Sequence, residues 1–142
     1  MTTPHERWLL DTNIWVFGLR GGGEFPSCAE LLERIGFLRI IIPRQLLKEL
    51  NVNLTEHEMH DFYKLINQHP EIIEVSWQPA PAERVRFFES LGCRKGDAVI
   101  AAHAEALGVK IIVSENRQFL QTLTDLPIEI INSETALMRF AS

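Results

Sequence analysis

At 142 residues the chain suits one folded domain spanning residues 1–142, and 46 % hydrophobic residues supply enough burial to exclude extended disorder. Its formal net charge of −5 excludes a protein that holds nucleic acid by phosphate neutralisation alone, though not an enzyme whose acidic groups hold cations. No apolar run approaches the ~20 residues needed to cross a bilayer, and Met1–Arg7 lacks the apolar core of a signal peptide, so a cytoplasmic protein without membrane association is expected.

The first strand is expected at Trp8–Asp11, a short apolar run that ends on a carboxylate. Thr12 and Asn13 are helix N-cap residue types, and a helix over Asn13–Leu19 follows, ending near Gly21-Gly22-Gly23. No Gly-Lys-Ser/Thr follows those glycines, so they read as a flexible loop rather than a phosphate cradle. A second helix is expected over Pro26–Ile35 and a second strand over Leu38–Ile42. Pro43 opens a third helix, where its missing N–H is harmless. Leu46, Leu47 and Leu50 mark that helix's buried arc, and Glu49 sits at its rim.

Thr55 and Glu58 form a capping box for a fourth helix, whose inward stripe is Met59, Phe62, Tyr63 and Ile66. A strand at Ile72–Ser76 and a helix at Ala82–Leu91 come next. A sixth helix is expected at Gly96–Leu107, apolar nearly all round and stopped by Gly108. His103 falls away from Asp97 on its wheel and reads as a core or interface histidine. A strand at Lys110–Ser114, a helix from Asn116 and a strand at Ile128–Ile131 follow. A last helix is capped by Ser133, with Ala136, Leu137 and Phe140 inward. Cys28 and Cys93, far apart and without a second thiol nearby, read as free buried thiols rather than a zinc site or disulfide.

Continuous apolar strands alternating with helices predict a five-stranded parallel sheet with helices on both faces, joined by right-handed crossovers. In that fold strand carboxyl ends and helix amino ends share one edge, where ligands bind. Asp11 ends the first strand. Glu49 lies within ~10 Å of the start of the helix after the second, at 1.5 Å per residue. Asp97 is in the first turn of the helix that feeds the fourth strand, and Asn116 follows that strand directly. Four oxygen-bearing side chains therefore converge. Uncompensated carboxylates there would repel by several kcal/mol, a conflict that helix amino ends and a hard divalent cation relieve. With no Cys or suitably placed His, oxygen donors favour Mg²⁺ or Mn²⁺, and metal-assisted phosphodiester hydrolysis is the natural chemistry. Arg44, Arg94, Lys95 and Arg117 are expected around the same edge as phosphate contacts, against the alternative of solvated surface charges.

Four stretches carry a resemblance: Leu10-Asp11-Thr12-Asn13, Leu47-Lys48-Glu49-Leu50, Gly96-Asp97-Ala98-Val99-Ile100-Ala101-Ala102 and Val113-Ser114-Glu115-Asn116-Arg117-Gln118-Phe119. In order and spacing they resemble the PIN-domain ribonuclease family, over nearly the whole chain. The resemblance implies a three-layer α/β/α fold, Mg²⁺ or Mn²⁺ bound by clustered acids, and RNA cleavage. Small bacterial members of the VapC-like type are toxins of toxin–antitoxin pairs, often dimeric and inhibited by a small partner protein. By position Asp11, Glu49 and Asp97 look like the catalytic, metal-binding acids, with Thr12, Asn13 and Ser114 as supporting residues. Asn116 departs from the family pattern: many members carry a fourth aspartate there, and an amide offers a carbonyl oxygen without charge. Two readings follow, a metal-dependent endoribonuclease and a catalytically weak PIN-like module that binds RNA or a protein. A phosphotransfer domain on a similar sheet would need a further acid beside the first, and position 13 is Asn.

Overall fold

The computed structural model describes residues 6–123 and 126–141. Five strands, β1 (Arg7–Leu10), β2 (Arg39–Pro43), β3 (Ile73–Ser76), β4 (Ile111–Val113) and β5 (Glu129–Ile131), form one sheet in the order β3-β2-β1-β4-β5. Every pairing is parallel. Central β1 pairs Trp8 with Ile40 on one side and with Ile111 on the other. Strands this apolar form because both faces of a parallel sheet are covered: Leu9, Leu10, Ile41, Ile42, Ile112 and Val113 are fully buried.

Eight helices cover the sheet among the described residues: α1 (Thr12–Leu19), α2 (Pro26–Glu33), α3 (Arg44–Asn53), α4 (Glu56–Asn67), α5 (Ala82–Ser90), α6 (Lys95–Ala106), α7 (Arg117–Thr122) and α8 (Ser133–Ala141). Strand order reverses direction after β3. Right-handed crossovers then send α1 to α4 over one face and α5 to α7 over the other. Packing agrees, since α1 lies on α2, α3 and α4, α8 on α2, and α5 on α6. Trp15 ties α1 to the sheet: its indole N–H donates to the Leu10 carbonyl at 3.1 Å, and its ring meets Phe62 edge-on at 5.1 Å. Replacing so buried a residue by alanine removes ~3–5 kcal/mol.

Several boundaries differ from expectation for local reasons. Asp11, not Thr12 or Asn13, is the N-cap of α1, because its carboxylate already accepts from the Thr12 N–H. The second helix stops at Glu33, and a 3-10 turn, Ile35–Phe37, leads into β2. Pro43 stays in the ladder opposite Ser76 and caps α3 from outside. α8 is capped by Asn132, whose side-chain oxygen accepts from the Thr135 N–H, while Ser133 bonds Glu115. The Thr55–Glu58 capping box forms as expected. Tyr63 turns 44 % outward, unlike its neighbours Phe62 and Ile66. The Phe140 side chain lies outside the described residues. The glycine loop is a tight turn in which Gly22 has φ +98°, and a Cβ there would come within 2.8 Å of the Pro26 Cα. Cys28 and Cys93 are free and buried, and burial pushes both thiols up to about 11. Among the described residues no helix is long and apolar enough to cross a membrane.

Candidate active site

The carboxyl edge of the sheet opens into a cleft of about 510 Å³ that Asp11, Glu49, Asp97, Asn116 and Arg94 all line. Each acid is delivered by a different element. The Asp11 backbone N–H still donates to the Val113 carbonyl at 2.8 Å, so the residue is locked into the sheet as the chain turns into α1. Its side chain is only 4 % exposed. Oδ1 accepts from the Thr12 N–H at 2.8 Å, and Oδ2 accepts from the Ser114 hydroxyl at 2.8 Å and more loosely from the Asn13 amide at 3.5 Å.

Ser114 is the hub of this support. Fully buried at the end of β4, it donates to Asp11 and accepts from the Asn13 amide at 3.2 Å and the Asn116 N–H at 3.1 Å. Asn13 in turn accepts from the Glu115 N–H at 3.1 Å, stitching the start of α1 to the segment after β4. Glu115 points elsewhere: its carboxylate accepts from the Ser133 N–H at 2.9 Å and from the Ser133 hydroxyl, at the start of α8.

Glu49 is half-buried in the second turn of α3. Oε1 accepts from the Thr12 hydroxyl at 2.6 Å and Oε2 from the Gln45 amide at 3.1 Å. Oε2 would sit 3.4 Å from a Cβ built on Gly96, so Glu49 lies directly against the first turn of α6. Asp97, in that turn, accepts from the Asn116 amide at 3.2 Å.

The acids feel one another. Burial, then the charges of Asp97 and Glu49, lift the Asp11 carboxyl to about 6, against the hydrogen bonds from Ser114 and Thr12. Asp97 is raised too, first by burial and then by Glu49, with Arg94 opposing. Yet among the described residues no three His, Cys, Asp or Glu side chains stand together as a ready metal cage. The fit to a cation therefore rests on donor chemistry. The three carboxylates offer hard, anionic oxygens in one cleft, and the raised pKa values of Asp11 and Asp97 mark an environment that a hard divalent ion relieves.

The remaining expected residues are spread more widely. Asn116 caps α7, its oxygen accepting from the Gln118 N–H at 3.1 Å, so it turns its amide N–H₂ rather than an oxygen toward Asp97. Arg94 lines the cleft, and Lys95, the next residue, is exposed at the start of α6. Arg44 lines a separate pocket of about 340 Å³ with His103, and Arg117 lines another of about 590 Å³ with Glu115 and Glu134. His103 is 2 % exposed; burial, then Arg44, push its imidazole below the usual range. Arg20 is bound to Glu58 and the Asn53 carbonyl. Gln45 was not anticipated, although its place four residues before Glu49 on a helix is a readable signal.

A family model for the PIN domain matches residues 8–122. Among solved structures, PAE2754 from Pyrobaculum aerophilum aligns at a TM-score of 0.60 with 18 % identity, over 96 % of each chain. VapBC2 from Rickettsia felis, solved bound to a DNA fragment from its promoter, aligns at 0.57 with 20 % identity, over 89 % of this chain and 98 % of that one. A domain of a functionally unknown protein from Methanocaldococcus jannaschii DSM 2661 aligns at 0.59 with 18 % identity, over 89 % and 90 %. No curated protein matches the chain significantly in sequence. At these identities the solved structures speak for the fold. With the family match over most of the chain and the parallel sheet in the order above, the chain belongs to the PIN domain family, whose members are in general nucleases.

Proposed function

We propose that this protein is a divalent-metal-dependent endoribonuclease of the toxin type, hydrolysing RNA phosphodiester bonds at the cleft of Asp11, Glu49 and Asp97. The observation that carries the reading is the shared cleft: three carboxylates, from the β1–α1 junction, α3 and α6, face one space, and two of them hold raised pKa values because of burial and that proximity. Mg²⁺ or Mn²⁺ held by these acids would polarise a water and neutralise charge on the phosphoryl oxygens.

The chain's own residues do the positioning. Ser114 and Asn13 hold Asp11 Oδ2, and Thr12 and Gln45 hold the two oxygens of Glu49. Asn116 holds Asp97. Side chains fixed this way keep their geometry while substrate binds, which is where much of the rate gain of a hydrolase originates. Arg94 supplies a guanidinium at the cleft wall for a substrate phosphate, with Lys95 beside it; Arg44 and Arg117 meet flanking phosphates from the adjoining pockets. The likeness to a VapBC complex supports a toxin with a small antitoxin protein as partner, and a cytoplasmic homodimer is proposed as its working state.

A second reading is a PIN-like module that binds RNA or protein with little catalysis. Asn116 favours it, because its only side-chain oxygen caps α7. One experiment separates the two: RNA cleavage with Mn²⁺, with EDTA, and by Asp11→Asn. The nuclease reading expects Mn²⁺-dependent cleavage that EDTA and Asp11→Asn abolish. Cleavage that ignores both treatments would overturn it, and binding without cleavage would favour the second reading.

A further inference from the structure

The pocket that holds Arg44 is not part of the acid cleft, yet it shares two walls with it. α3 presents two adjacent rows: Gln45 and Glu49 meet at the acid cleft, and Arg44 and Lys48, also four apart, face the other pocket. α6 does the same, with Asp97 on the cleft side and His103 on the other. Gln45 lines the second pocket while donating to Glu49, so it is the partition between them.

The composition of this pocket is unlike that of the molecule. The chain carries 19 acidic and 14 basic side chains, but no Asp or Glu lines these walls. Arg44, Lys48 and Arg86 do, all exposed, and none makes an ion pair among the described residues. Two helices open into it: Arg44 is the first residue of α3 and Ala82 the first of α5, and neither helix has a side-chain cap. Their leading N–H groups are donors without side-chain acceptors, at the positive ends of the helix dipoles. His103 closes the floor. It is 2 % exposed, and its ring makes no hydrogen bond among the described residues. No sealed side-chain polar atom there lacks a partner, so its free ring nitrogens reach the pocket.

We propose that this pocket, formed by Arg44, Lys48, Arg86, His103 and the uncapped amino ends of α3 and α5, binds a backbone phosphate of RNA next to the one held in the acid cleft. Cations without partners, two open helix ends and a buried ring with free nitrogens all call for a multivalent oxyanion. Adjacency across Gln45 makes that anion a neighbouring phosphate of the same strand. The inference rests on the nuclease reading for its substrate, and it lets an acidic protein hold RNA locally.

The test measures binding of a single-stranded RNA oligonucleotide in EDTA, so that nothing is cleaved, across a salt series. Lys48→Gln with Arg86→Gln removes two exposed pocket charges, and Lys64→Gln with Lys110→Gln removes two exposed charges elsewhere. The pocket pair is expected to weaken binding by ~10-fold or more and to lower the salt slope by about 0.7, the value for one phosphate contact on a single strand. The remote pair is expected to change both far less. His103 ring signals should shift with RNA and not with an acidic peptide. Equal effects from the two pairs, no effect from the pocket pair, or a His103 response to the acidic peptide alone would each overturn the proposal. Mn²⁺-dependent cleavage assayed in parallel keeps the two readings apart. Cleavage by the wild type with unchanged binding in the pocket pair sinks the pocket alone. Lost binding in the pocket pair without any cleavage by the wild type sinks the nuclease and leaves the pocket standing.

Discussion

The Asn116 amide donates to Asp97 across 3.2 Å while its oxygen caps α7. The reverse orientation would set an oxygen against the carboxylate and N–H₂ against the Gln118 N–H, so both neighbours fix the same rotamer. Asn116→Asp keeps a good N-cap but exchanges a donor for a second carboxylate. Without metal the variant should lose about 2 kcal/mol, the worth of a hydrogen bond to a charged group. Mn²⁺ should reverse that loss and raise the melting temperature of the variant more than that of the wild type, since a ligand bound only by the folded state stabilises it. Thermal melts with and without Mn²⁺ measure this directly. A variant no more responsive to Mn²⁺ than the wild type would rule out a cation at Asp97.

Asp11 makes the metal-free protein sensitive to pH. Its carboxyl is lifted from 3.8 to about 6, chiefly by burial. A raised pKa means that folding favours the protonated form. The stabilising contribution is therefore complete below about pH 4 and disappears as pH rises through 6. At ~1.4 kcal/mol per pKa unit the loss approaches about 3 kcal/mol. Asp97 shifts in the same direction and adds to the slope. Asp11→Asn removes the larger part. Denaturant unfolding in EDTA at pH 5 and pH 7 should show the wild type losing clearly more stability than Asp11→Asn. Equal losses would mean that Asp11 is ionised without penalty.

Gly18 sets the approach of α1 to α2. A Cβ there would stand 2.5 Å from Leu32 Cδ1 and 3.0 Å from the Cys28 carbonyl oxygen. Leu32 can swing, but the Cys28 carbonyl belongs to helix backbone. Gly18→Ala gains ~1 kcal/mol of helix propensity and incurs ~1–3 kcal/mol of overpacking, for a net loss of about 1 kcal/mol. Leu32→Ala in the same chain should recover part of it, a non-additive coupling that a double-mutant cycle of unfolding free energies reads. Strict additivity would mean that the carbonyl alone limits the approach.

What the sequence carried, and what it did not, divides along one physical line. Continuous runs such as Ile40-Ile41-Ile42 encode burial on both faces, and with alternating helices they dictate the parallel sheet. Topology then brings Asp11, Glu49 and Asp97 to one edge, because helix starts and strand ends must meet there. Azimuth around a helix is harder to read. Arg44 and Gln45 are consecutive, but a 100° step sends one to the basic pocket and lets the other reach Glu49. Orientation of a planar amide is harder still: that Asn116 offers N–H₂ to Asp97 depends on where α7 begins, which residue type alone does not reveal. The open ends of α3 and α5 are absences of a cap, and they become informative only when two of them share a pocket.

Thr12 supports the site in two places at once. Its N–H holds Asp11 Oδ1, which any residue but proline could do, but its hydroxyl holds Glu49 Oε1 at 2.6 Å, which needs Ser or Thr. Thr12→Val preserves shape and leaves the backbone bond intact, so it isolates the hydroxyl. Glu49 would keep Gln45 on its other oxygen and gain freedom to swing toward solvent. Loss of a hydrogen bond to a carboxylate, ~1.5 kcal/mol at the low end, corresponds to about a tenfold fall in kcat/KM if Glu49 must be held during the reaction. Stability should barely change, because Glu49 is only half-buried and can rehydrate. Thr12→Ser restores the donor and should restore activity. Cleavage rates of the three proteins on one RNA at saturating Mn²⁺ decide the matter: equal rates for Thr12→Val and wild type would remove Thr12, and with it the fixed rotamer of Glu49, from the catalytic argument.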